Sequence, residues 1–372
     1  MVNKGGISIE EMRKLLNKKA GMTVAHNLKE ENPTEVTEWI PTGSHWLDSI
    51  ICRGQRAGIP VGKVTEIAGL EATGKSYMAA KIAANAQKMG ITVAYFDSES
   101  AIDPSFLENA GCDVENLIYV QAQSVEMVLE SIEEFLKTGG KFLFVWDSLA
   151  LTPSINDVEG DFNPMSQMAV KARILAKAMS KLTIPIANTE STFLVLNQLK
   201  TNITRNPNMA LVEPYVTPGG KAMIYAYSLR IWLTGRKSKA AYIQDDNGFR
   251  IGSEVKSTLK KSRFGTQGRQ ATFKILWGDE VRILDEESWL EAIKASEHIT
   301  IKGAWYSLDM GNGEVQKFQP GRWMEKMKDE TFRARVLEVM DQHVVQNFKA
   351  RQGNPEDFYD VDGDENQDKP AI

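Results

Sequence analysis

The sequence predicts an α/β fold in which a mixed, mainly parallel sheet lies between helices. Between residues 39 and 283, short apolar runs typical of buried strands alternate with amphipathic helical patterns, and glycines stand where several helices should end. Strands that alternate with helices form a parallel sheet covered on both faces. Three further strand patterns then follow one another without helices between them. The sheet is therefore expected to become mixed toward its C-terminal side.

The first 38 residues are polar and contain one helical pattern, "SIEEMRKLLNKK". Ser8 and Glu11 have the spacing of a capping box. The apolar face of this predicted helix consists of Ile9, Met12, Leu15 and Leu16. The segment is too short to fold alone.

The core elements then follow in order. The predicted strands are "KVTEIA", "TVAYF", "LIYV", "FLFVW", "TFLVLN", "LRIWLTG", "GFRIGSEVKSTLKKSRF" and "ATFKILW". The predicted helices are "KSYMAAKIAANAQKM", a segment near "PSFLENA", "VEMVLESIEEFLK" and "KARILAKAMSKL". Residues 39–283 are predicted to form the core, residues 284–350 a small α/β domain, and residues 351–372 a disordered acidic tail.

The acidic tail dominates the net charge of −5. After Asn354 it carries seven acidic residues against Lys369 alone, so the rest of the chain is close to +1 and a nucleic-acid partner is not excluded. The alternating Asp360, Asp362 and Asp364 resemble the start of a calcium loop. That loop would need glycine and glutamate at the later positions occupied by Glu365 and Ala371, so a calcium site is not expected.

Cysteine content and hydropathy predict a soluble cytoplasmic protein. Cys52 and Cys112 are the only cysteines in 372 residues, which favours a reducing compartment. No apolar run approaches the length of a membrane span.

The stretch "GLEATGKS", residues 69–76, follows a predicted strand and opens a predicted helix. Its glycines allow successive N–H groups to surround phosphate oxygens, and the helix N-terminus adds a positive dipole. Lys75 is expected to reach the β- and γ-phosphates of a nucleotide, and the Ser76 hydroxyl to bind Mg²⁺. The predicted phosphate loop consists of Gly69, Leu70, Glu71, Ala72, Thr73, Gly74, Lys75 and Ser76. The alternative is a glycine-rich turn without a ligand.

Acidic residues follow two of the predicted strands. Asp147 ends "FLFVWD" and is expected to hold the metal through water, although it could simply cap the next turn. Asp97, Glu99 and Asp103 cluster in "YFDSESAIDP". A carboxylate there could activate water for attack on the γ-phosphate. These residues alone leave the choice between Asp97 and Glu99 open.

The order of motifs resembles that of the bacterial RecA family of DNA strand-exchange ATPases and their phage counterparts. The motifs are "PTGSHWLD", "GLEATGKS", "YFDSESAIDP", "FLFVWDSLALTP", "FLVLNQLK", "TPGGKAMIYAYSLRIWL", "ATFKILWGDEV" and "KGAWYS". The resemblance runs from about Ile40 to the mid-300s and implies a RecA-type core. The acidic tail is also similar to the regulatory tail of that family.

For the nucleotide, the resemblance implies ATP with Mg²⁺. It selects Glu99 as the residue that activates water, and it places Asp103 and Phe106 near the adenine. Trp277 matches an aromatic residue that packs on the base, although it could instead be a core residue. Gln198 matches the glutamine that senses the γ-phosphate and signals to the DNA-binding loop beyond it, although it could instead form a turn.

For DNA, the resemblance implies binding through two long loops, residues 157–169 and 199–221. Phosphate contacts and apolar wedging between bases would give sequence-tolerant binding. The residues implied to contact DNA are Met168, Arg173, Lys200, Ile203, Arg205, Gly219, Gly220 and Lys221. Each cation could instead be a solvated surface residue. Ala176 and Ser180 stand where bacterial members bear polar or cationic DNA contacts, so DNA affinity is expected to be lower or partly carried elsewhere.

At the subunit interface, the resemblance implies a role for the pair Lys261 and Arg263, and Tyr225 matches an aromatic residue of that interface. Lys261 and Arg263 lie two positions apart on a strand, so their side chains share one face. In the family this pair reaches the nucleotide of the adjacent subunit, and lysine is usual at the second position. The N-terminal segment, residues 1–38, is implied to dock on a neighbouring core and is predicted to serve oligomerisation.

The predicted function is that of an ATP-dependent recombinase that forms a filament on single-stranded DNA, pairs it with homologous duplex DNA and exchanges strands. Single-strand-binding and mediator proteins are further expected partners, and no membrane is involved. The leading alternative is a ring-forming helicase of the same fold. A small-molecule kinase with a phosphate loop is a weaker alternative, because it needs a lid over its acceptor and does not need the two long loops.

Overall fold

The structure, a computed structural model, describes residues 7–345 except for positions 22, 31, 33, 52–53, 101, 161–169, 204–212, 236–240 and 278–281. Within these residues no helix is long and apolar enough to cross a membrane. The predicted DNA contacts Met168 and Arg205 and the predicted acidic tail lie outside the described residues.

The helices and strands follow the predicted alternation. The helices are α1 (Ile9–Ala20), α2 (His45–Ile51), α3 (Lys75–Lys88), α4 (Pro104–Ala110), α5 (Val125–Lys137), α6 (Ile155–Glu159), α7 (Val170–Asn188), α8 (Gly220–Ala226), α9 (Trp289–Ile293), α10 (Trp323–Lys326) and α11 (Glu330–His343). The strands up to the second loop are β1 (Trp39–Ile40), β2 (Ile59–Pro60), β3 (Val64–Gly69), β4 (Thr92–Asp97), β5 (Leu117–Gln121), β6 (Phe142–Asp147), β7 (Thr192–Gln198) and β8 (Lys200–Thr201). The later strands are β9 (Tyr215–Val216), β10 (Leu229–Gly235), β11 (Tyr242–Gln244), β12 (Arg250–Ser262), β13 (Gln270–Leu276), β14 (Arg282–Leu284), β15 (Ile299–Lys302), β16 (Trp305–Asp309) and β17 (Val315–Phe318).

The central sheet is mixed, as predicted. Within the described residues its strand order is β14-β13-β12-β10-β3-β7-β6-β4-β5, and β11 pairs with β12. The strands from β10 to β5 run parallel, whereas β11 to β14 pair in antiparallel fashion. β3 and β6 are buried along their whole length because helices cover both faces of the sheet. The predicted α/β fold class is confirmed.

The sheet separates two apolar cores. Successive residues of a strand enter opposite cores, as Tyr95 and Phe96 do. One core contains side chains of α2, α3 and α4 and continues into the C-terminal segment, while the other contains side chains of α5, α7 and α8. Ligands of such sheets bind outside the carboxyl ends of the parallel strands. A ligand site is therefore expected at that edge.

Both predicted loops contain regular structure. The prediction of an unpatterned loop over residues 199–221 is wrong at its ends, because β8 pairs with β9 and α8 begins at Gly220. The loop predicted at residues 157–169 likewise overlaps α6, which ends at Glu159. Two-residue strands and a helix that begins with glycine give no periodic signal, so the sequence pattern does not reveal them.

The two terminal segments differ in how they pack. The capping box of α1 is present, but none of its residues is buried, and its predicted apolar face is exposed. By contrast, β15, β16 and β17 form an antiparallel sheet that packs with α9, α10 and α11, as expected for a small α/β unit. Asp285 connects this unit to the core: its carboxylate accepts from the Ser44 hydroxyl at 2.5 Å, the His45 N–H at 2.6 Å and the Trp289 indole N–H at 2.7 Å.

Candidate nucleotide site and DNA-facing loops

The predicted phosphate loop joins β3 to α3. Ala72 and Gly74 have left-handed backbone conformations, with φ of 54° and 77°, which is typical of an anion-binding nest. A Cβ at Gly74 would lie 2.5 Å from Cδ1 of Ile275 and would have to displace that side chain, and the positive φ would strain any other residue there. The Thr73 hydroxyl donates to the Leu70 carbonyl at 2.8 Å and closes the loop on itself. No acidic residue occupies the first turn of α3, so its N-terminus attracts anions.

Lys75 lies across this loop. Its Nζ donates to the carbonyls of Gly69, at 3.3 Å, and Leu70, at 2.9 Å. Burial lowers the pKa of Lys75, while the negative charges of Asp147 and then Glu99 oppose that shift. The ammonium group is therefore hydrogen-bonded to the loop and attracted by nearby carboxylates.

Ser76 and Asp147 meet beside the loop. The Ser76 side chain is hydrogen-bonded to the Asp147 carboxylate, which also accepts from the hydroxyl of Tyr95 at 3.0 Å. Asp147 is only 5% exposed, and burial raises its pKa to about 6 against the opposing effect of these two hydrogen bonds. A hydroxyl and a carboxylate side by side form an oxygen-only donor set that suits Mg²⁺. The residues present therefore fit the expected metal.

The structure distinguishes Asp97 from Glu99. Asp97 is 1% exposed, and its carboxylate accepts from the backbone N–H groups of Glu99, Ser100 and Ile102 and from the Tyr119 hydroxyl, at 2.9–3.1 Å. These four donors leave it little capacity to take a proton from water. Glu99 is exposed and accepts one bond from the Ser148 hydroxyl, at 3.1 Å. The geometry therefore favours Glu99 as the base and assigns Asp97 the role of holding the turn that presents it.

A cavity of about 150 Å³ brings several predicted residues together at the carboxyl end of the sheet. It is lined by Ser76, Asp97, Glu99, Ile102, Phe106 and Asp147. Asp103 lies beside this group, where its carboxylate accepts from Ser105 N–H at 2.7 Å and caps α4. The cap is a sufficient structural reason for Asp103, whatever else it contacts.

Trp277 does not line this cavity. It follows β13, two residues beyond the Ile275 that contacts Gly74. The Arg250 guanidinium lies 4.9 Å from the centroid of the Trp277 ring and 3.9 Å from that of Tyr242. One face of the predicted base-stacking residue thus has a cationic partner within the chain.

Gln198 lies next to the phosphate loop by strand register. It is paired with Gly69 in the parallel ladder of β7 and β3, and the following Leu199 N–H donates to the Gly69 carbonyl at 3.1 Å. The Gln198 N–H in turn donates to the side-chain oxygen of Asn197 at 3.0 Å. The predicted sensor therefore ends the strand adjacent to the one that carries the loop.

A buried network that the sequence interpretation missed lies beneath Gln198. Arg230 Nε donates to Glu66 at 2.6 Å, with side-chain exposures of 7% and 0%. The Asn197 amide donates to Glu66 at 3.0 Å and to the Pro218 carbonyl at 2.9 Å, and Arg230 also donates to the Thr217 hydroxyl at 2.9 Å. The available signal was a charged residue within each of two apolar strand patterns, "VTEIA" and "LRIWL". This network fixes the C-terminal end of the second loop to the sheet.

The described ends of the second loop are ordered by backbone pairing. Lys200 pairs with Val216, and Asn202 N–H donates to the Pro214 carbonyl at 2.9 Å. Lys200 and Lys221 are exposed, and Ile203 is 96% exposed. A fully exposed isoleucine and exposed lysines are available for bases and phosphates.

Gly219 and Gly220 have a packing role at the start of α8. Both have positive φ, 108° and 79°. A Cβ at Gly219 would lie 3.3 Å from Leu149, and one at Gly220 would lie 3.3 Å from Ala172. The positive φ of both residues, with the close approach of Gly220 to α7 and of Gly219 to Leu149, is a sufficient reason for two glycines, independent of the predicted DNA contact.

The start of α7 carries one predicted cation and one that was missed. Arg173 is exposed. Lys171 instead points inward, and its Nζ donates to the carbonyls of Leu149 and Thr152, at 2.6 Å each. Burial lowers the pKa of Lys171 to about 8. A lone lysine near the start of a helix gives no sequence signal for this role, which is to tie α7 to the turn that follows Asp147.

The predicted interface residues lie together at the opposite, amino end of the sheet. Lys261 Nζ donates to the carbonyls of Ile224 and Tyr225, at 2.7 and 3.1 Å, and Arg263 donates to that of Tyr225 at 2.9 Å. Both cations thus cap the end of α8. Tyr225 is 70% exposed.

Comparison with known proteins gives a consistent result. A family model described as the RecA N-terminal domain matches residues 7–282. Protein RecA of Colwellia psychrerythraea is 32% identical over 285 residues, which are 76% of this chain and 77% of the relative. Protein RecA of Thermus thermophilus is 30% identical over 342 residues, 91% of this chain and 96% of the relative. Protein RecA of Fusobacterium nucleatum is 31% identical over 302 residues, 81% and 75% of the two chains.

Proposed function

The chain belongs to the RecA family, and on that premise we propose that it is an ATP-dependent DNA recombinase. It forms a filament on single-stranded DNA, pairs that strand with homologous duplex DNA and exchanges strands. The observation that carries the proposal is the convergence of Ser76, Glu99 and Asp147 on one cavity beside the phosphate loop, while Lys261 and Arg263 lie at the far end of the sheet.

The phosphate loop and Lys75 bind the triphosphate of ATP. Backbone N–H groups of the loop and the N-terminus of α3 donate to phosphate oxygens, and Lys75 turns from the loop carbonyls to the β- and γ-phosphates. Ser76 and Asp147 hold Mg²⁺, which when bound neutralises charge on the same phosphates. Phe106 and Asp103 border the base, and Trp277 stacks on it from β13.

Glu99 removes the proton of the attacking water. Its carboxylate is exposed at the mouth of the cavity, and the Ser148 hydroxyl bonded to it orients the side chain. Asp97 holds the intervening turn through three backbone N–H groups. Gln198 lies one strand away from the loop, where its amide can detect the γ-phosphate.

Lys261 and Arg263 serve the nucleotide of a neighbouring chain. They bind carbonyls of α8 just before Ser228, whose N–H donates to Val64 at the start of β3. The phosphate loop begins at the other end of β3, about 16 Å away at the rise of a parallel strand. Since neither side chain can span that distance within its own chain, the geometry supports action in trans, as a cation that stabilises transition-state charge.

DNA lies along the second loop and the start of α7. Lys200, Lys221 and Arg173 are exposed cations for phosphates, and Ile203 is an exposed apolar wedge. Such contacts ignore base identity, which suits a protein that must accept any sequence.

The test is ATP hydrolysis with and without single-stranded DNA, followed by electron microscopy of the complex formed with a slowly hydrolysed ATP analogue. The proposal expects hydrolysis stimulated by DNA and helical filaments. Closed rings would instead support a helicase. Turnover that is indifferent to DNA and needs a phosphoryl acceptor would support a kinase.

A further inference from the structure

We propose that Trp232 is a positioning residue that couples the state of the phosphate loop to the second DNA-facing loop. The inference rests on the proposed function and adds to it a connection separate from Gln198. Trp232 lies on β10, is 8% exposed, and belongs to a small apolar cluster apart from the two main cores. That cluster contains Ala68, Leu70, Leu199, Tyr215 and Trp232.

On one side Trp232 is connected to the phosphate loop. Trp232 pairs in register with Ala68 of β3, and Leu70, the second residue of the phosphate loop, packs against the same cluster. The Leu70 N–H also donates to the carbonyl of Leu233 at 3.3 Å. If Leu70 moves when the phosphate loop closes on a triphosphate, it therefore displaces β10 and the Trp232 indole directly.

On the other side Trp232 is connected to both ends of the second loop. Leu199 precedes β8 and Tyr215 lies on β9, so the cluster includes the segment that enters the loop and the segment that leaves it. Lys260 adds a further contact: its Nζ lies 4.7 Å from the Trp232 ring centroid and 3.7 Å from the carboxylate of Glu213.

The surroundings of the indole hold it in place. Arg230 lies two residues earlier on the same face of β10, with its guanidinium 5.7 Å from the ring centroid. Arg230 is itself fixed by Glu66 and by Thr217. Because the Trp232 ring is closely packed against a fixed cation, it has no free space into which it can move. A displacement of the phosphate loop is therefore transmitted through the ring to the second loop.

The indole N–H argues that Trp232 is not present for stability alone. Among the described residues Nε1 of Trp232 is buried without a hydrogen-bond acceptor. A buried donor without a partner lowers stability, so phenylalanine would serve a purely structural role at least as well. The wider indole instead adds contact area between the phosphate loop and the ends of the second loop.

The experiment measures nucleotide-dependent DNA affinity. For the full chain, the dissociation constant of a fluorescent single-stranded oligonucleotide is measured with ADP and with a slowly hydrolysed ATP analogue, and their ratio is the coupling. We expect Trp232→Ala to lower this ratio about tenfold. Its affinity for a fluorescent ATP analogue without DNA should stay within about twofold of the wild type. Trp232→Phe, which keeps an aromatic ring but loses the wider contact of the indole, should lower the ratio by less than Trp232→Ala, about threefold.

Two variants on β12 provide the matched comparison. Lys260→Ala removes the cation over the ring and should lower the ratio about threefold. Lys256→Ala removes an exposed lysine from the same strand and should leave it unchanged. Thermal unfolding establishes that each variant is folded, and Trp232→Leu replaces Trp232→Ala if the alanine variant is not.

The outcomes separate the inference from the function on which it rests. An unchanged ratio in the folded Trp232 variant overturns the inference alone. So does an equal loss of DNA affinity with both nucleotides, because a merely structural residue would produce it. A ratio of one in the wild type overturns the proposed function, and the inference falls with it.

Discussion

At the carboxyl end of the central sheet, Asp147 is 5% exposed and shares a cavity with Ser76 and Glu99. At the amino end, the side chains of Lys261 and Arg263 donate to backbone carbonyls of α8, and Tyr225 beside them is 70% exposed. The first end combines carboxylates and a hydroxyl around one cavity, beside the phosphate loop to which Lys75 is bonded. The second presents cations and an aromatic ring at the surface.

This difference indicates how the chemistry is divided. Groups that must be held within tenths of an ångström of a phosphate are buried and cross-linked within one chain, because precise positioning requires packed support. Groups that act on a neighbour must remain accessible until that neighbour arrives. In the proposed filament, the exposed amino end of the sheet in one subunit completes the nucleotide site of the next subunit.

The largest effect is expected from removal of the base at the carboxyl end. Glu99→Gln should lower the rate of ATP hydrolysis about 10³-fold while ATP-dependent DNA binding persists, because the amide cannot accept the proton of water but retains the shape of the carboxylate. Single-turnover hydrolysis and DNA binding with ATP measure the two properties. Glu108→Gln, an exposed carboxylate on α4, is the matched control. Loss of DNA binding in the folded Glu99→Gln variant would contradict the assignment.

The second prediction concerns the buried ion pair of Arg230 with Glu66, which lies between the two ends of the central sheet. Arg230→Met leaves Glu66 buried without its cation and should lower the free energy of unfolding by about 3 kcal/mol or more. The double change Glu66→Leu with Arg230→Met removes both charges and should recover much of that loss. Urea unfolding measures both variants. Equal losses in the single and double variants would show that the ion pair is not the source of the effect.

A mixing experiment tests the amino end. Lys261→Ala should lower turnover about 10²-fold by removing a cation from the neighbour's transition state. An equal mixture of Lys261→Ala and Glu99→Gln chains should recover roughly a quarter of wild-type turnover, because in a random head-to-tail polymer that share of sites combines an intact Glu99 with an intact Lys261. Lys256→Ala mixed with Glu99→Gln serves as the control. Absence of recovery would mean that Lys261 acts within its own chain.

The smallest effect concerns a region outside both ends, where His45 packs against the C-terminal segment. Burial, together with the positive charges of Arg56 and Arg333, lowers the pKa of His45 to about 4. As pH falls from 6.5 to 4 the unfolded chain takes up a proton that the folded chain does not, so stability is lost across this window. After allowance for solvent screening the loss is about 1–2 kcal/mol. His45→Gln should flatten the pH dependence of the melting temperature between pH 6.5 and 4, and an unchanged profile would count against this cause.

Local sequence patterns predict those elements whose structure depends on residues close together in the chain. The helix "VEMVLESIEEFLK" corresponds to α5 from its first to its last residue, because its apolar periodicity is strong and glycines follow it. The phosphate loop is equally local, since every residue that forms it is contiguous. The elements that were missed, such as α8, depend on contacts with α7 that no short window contains.

Contacts between distant residues account for the rest of the site. Glu66 and Arg230 are 164 positions apart, and nothing in either strand pattern indicates that one charge neutralises the other. Asp97 and Glu99 are indistinguishable as acidic residues after a strand. They separate only when the four hydrogen bonds to Asp97 are known, because its oxygens are then already occupied.

The seven-residue helix α8 would make the two ends of the proposed filament different. Its first residue lies at the end of the second loop, and its last turn is held by Lys261 and Arg263, the cations proposed to act on the adjoining chain. In the proposed filament, α8 connects the second loop of one protomer to the nucleotide of the next protomer, in addition to the connection through Trp232 within its own chain. In such a filament the two ends differ, because the nucleotide of one terminal chain has no neighbouring Lys261 and Arg263. We expect that chain to hydrolyse its ATP most slowly and to dissociate last.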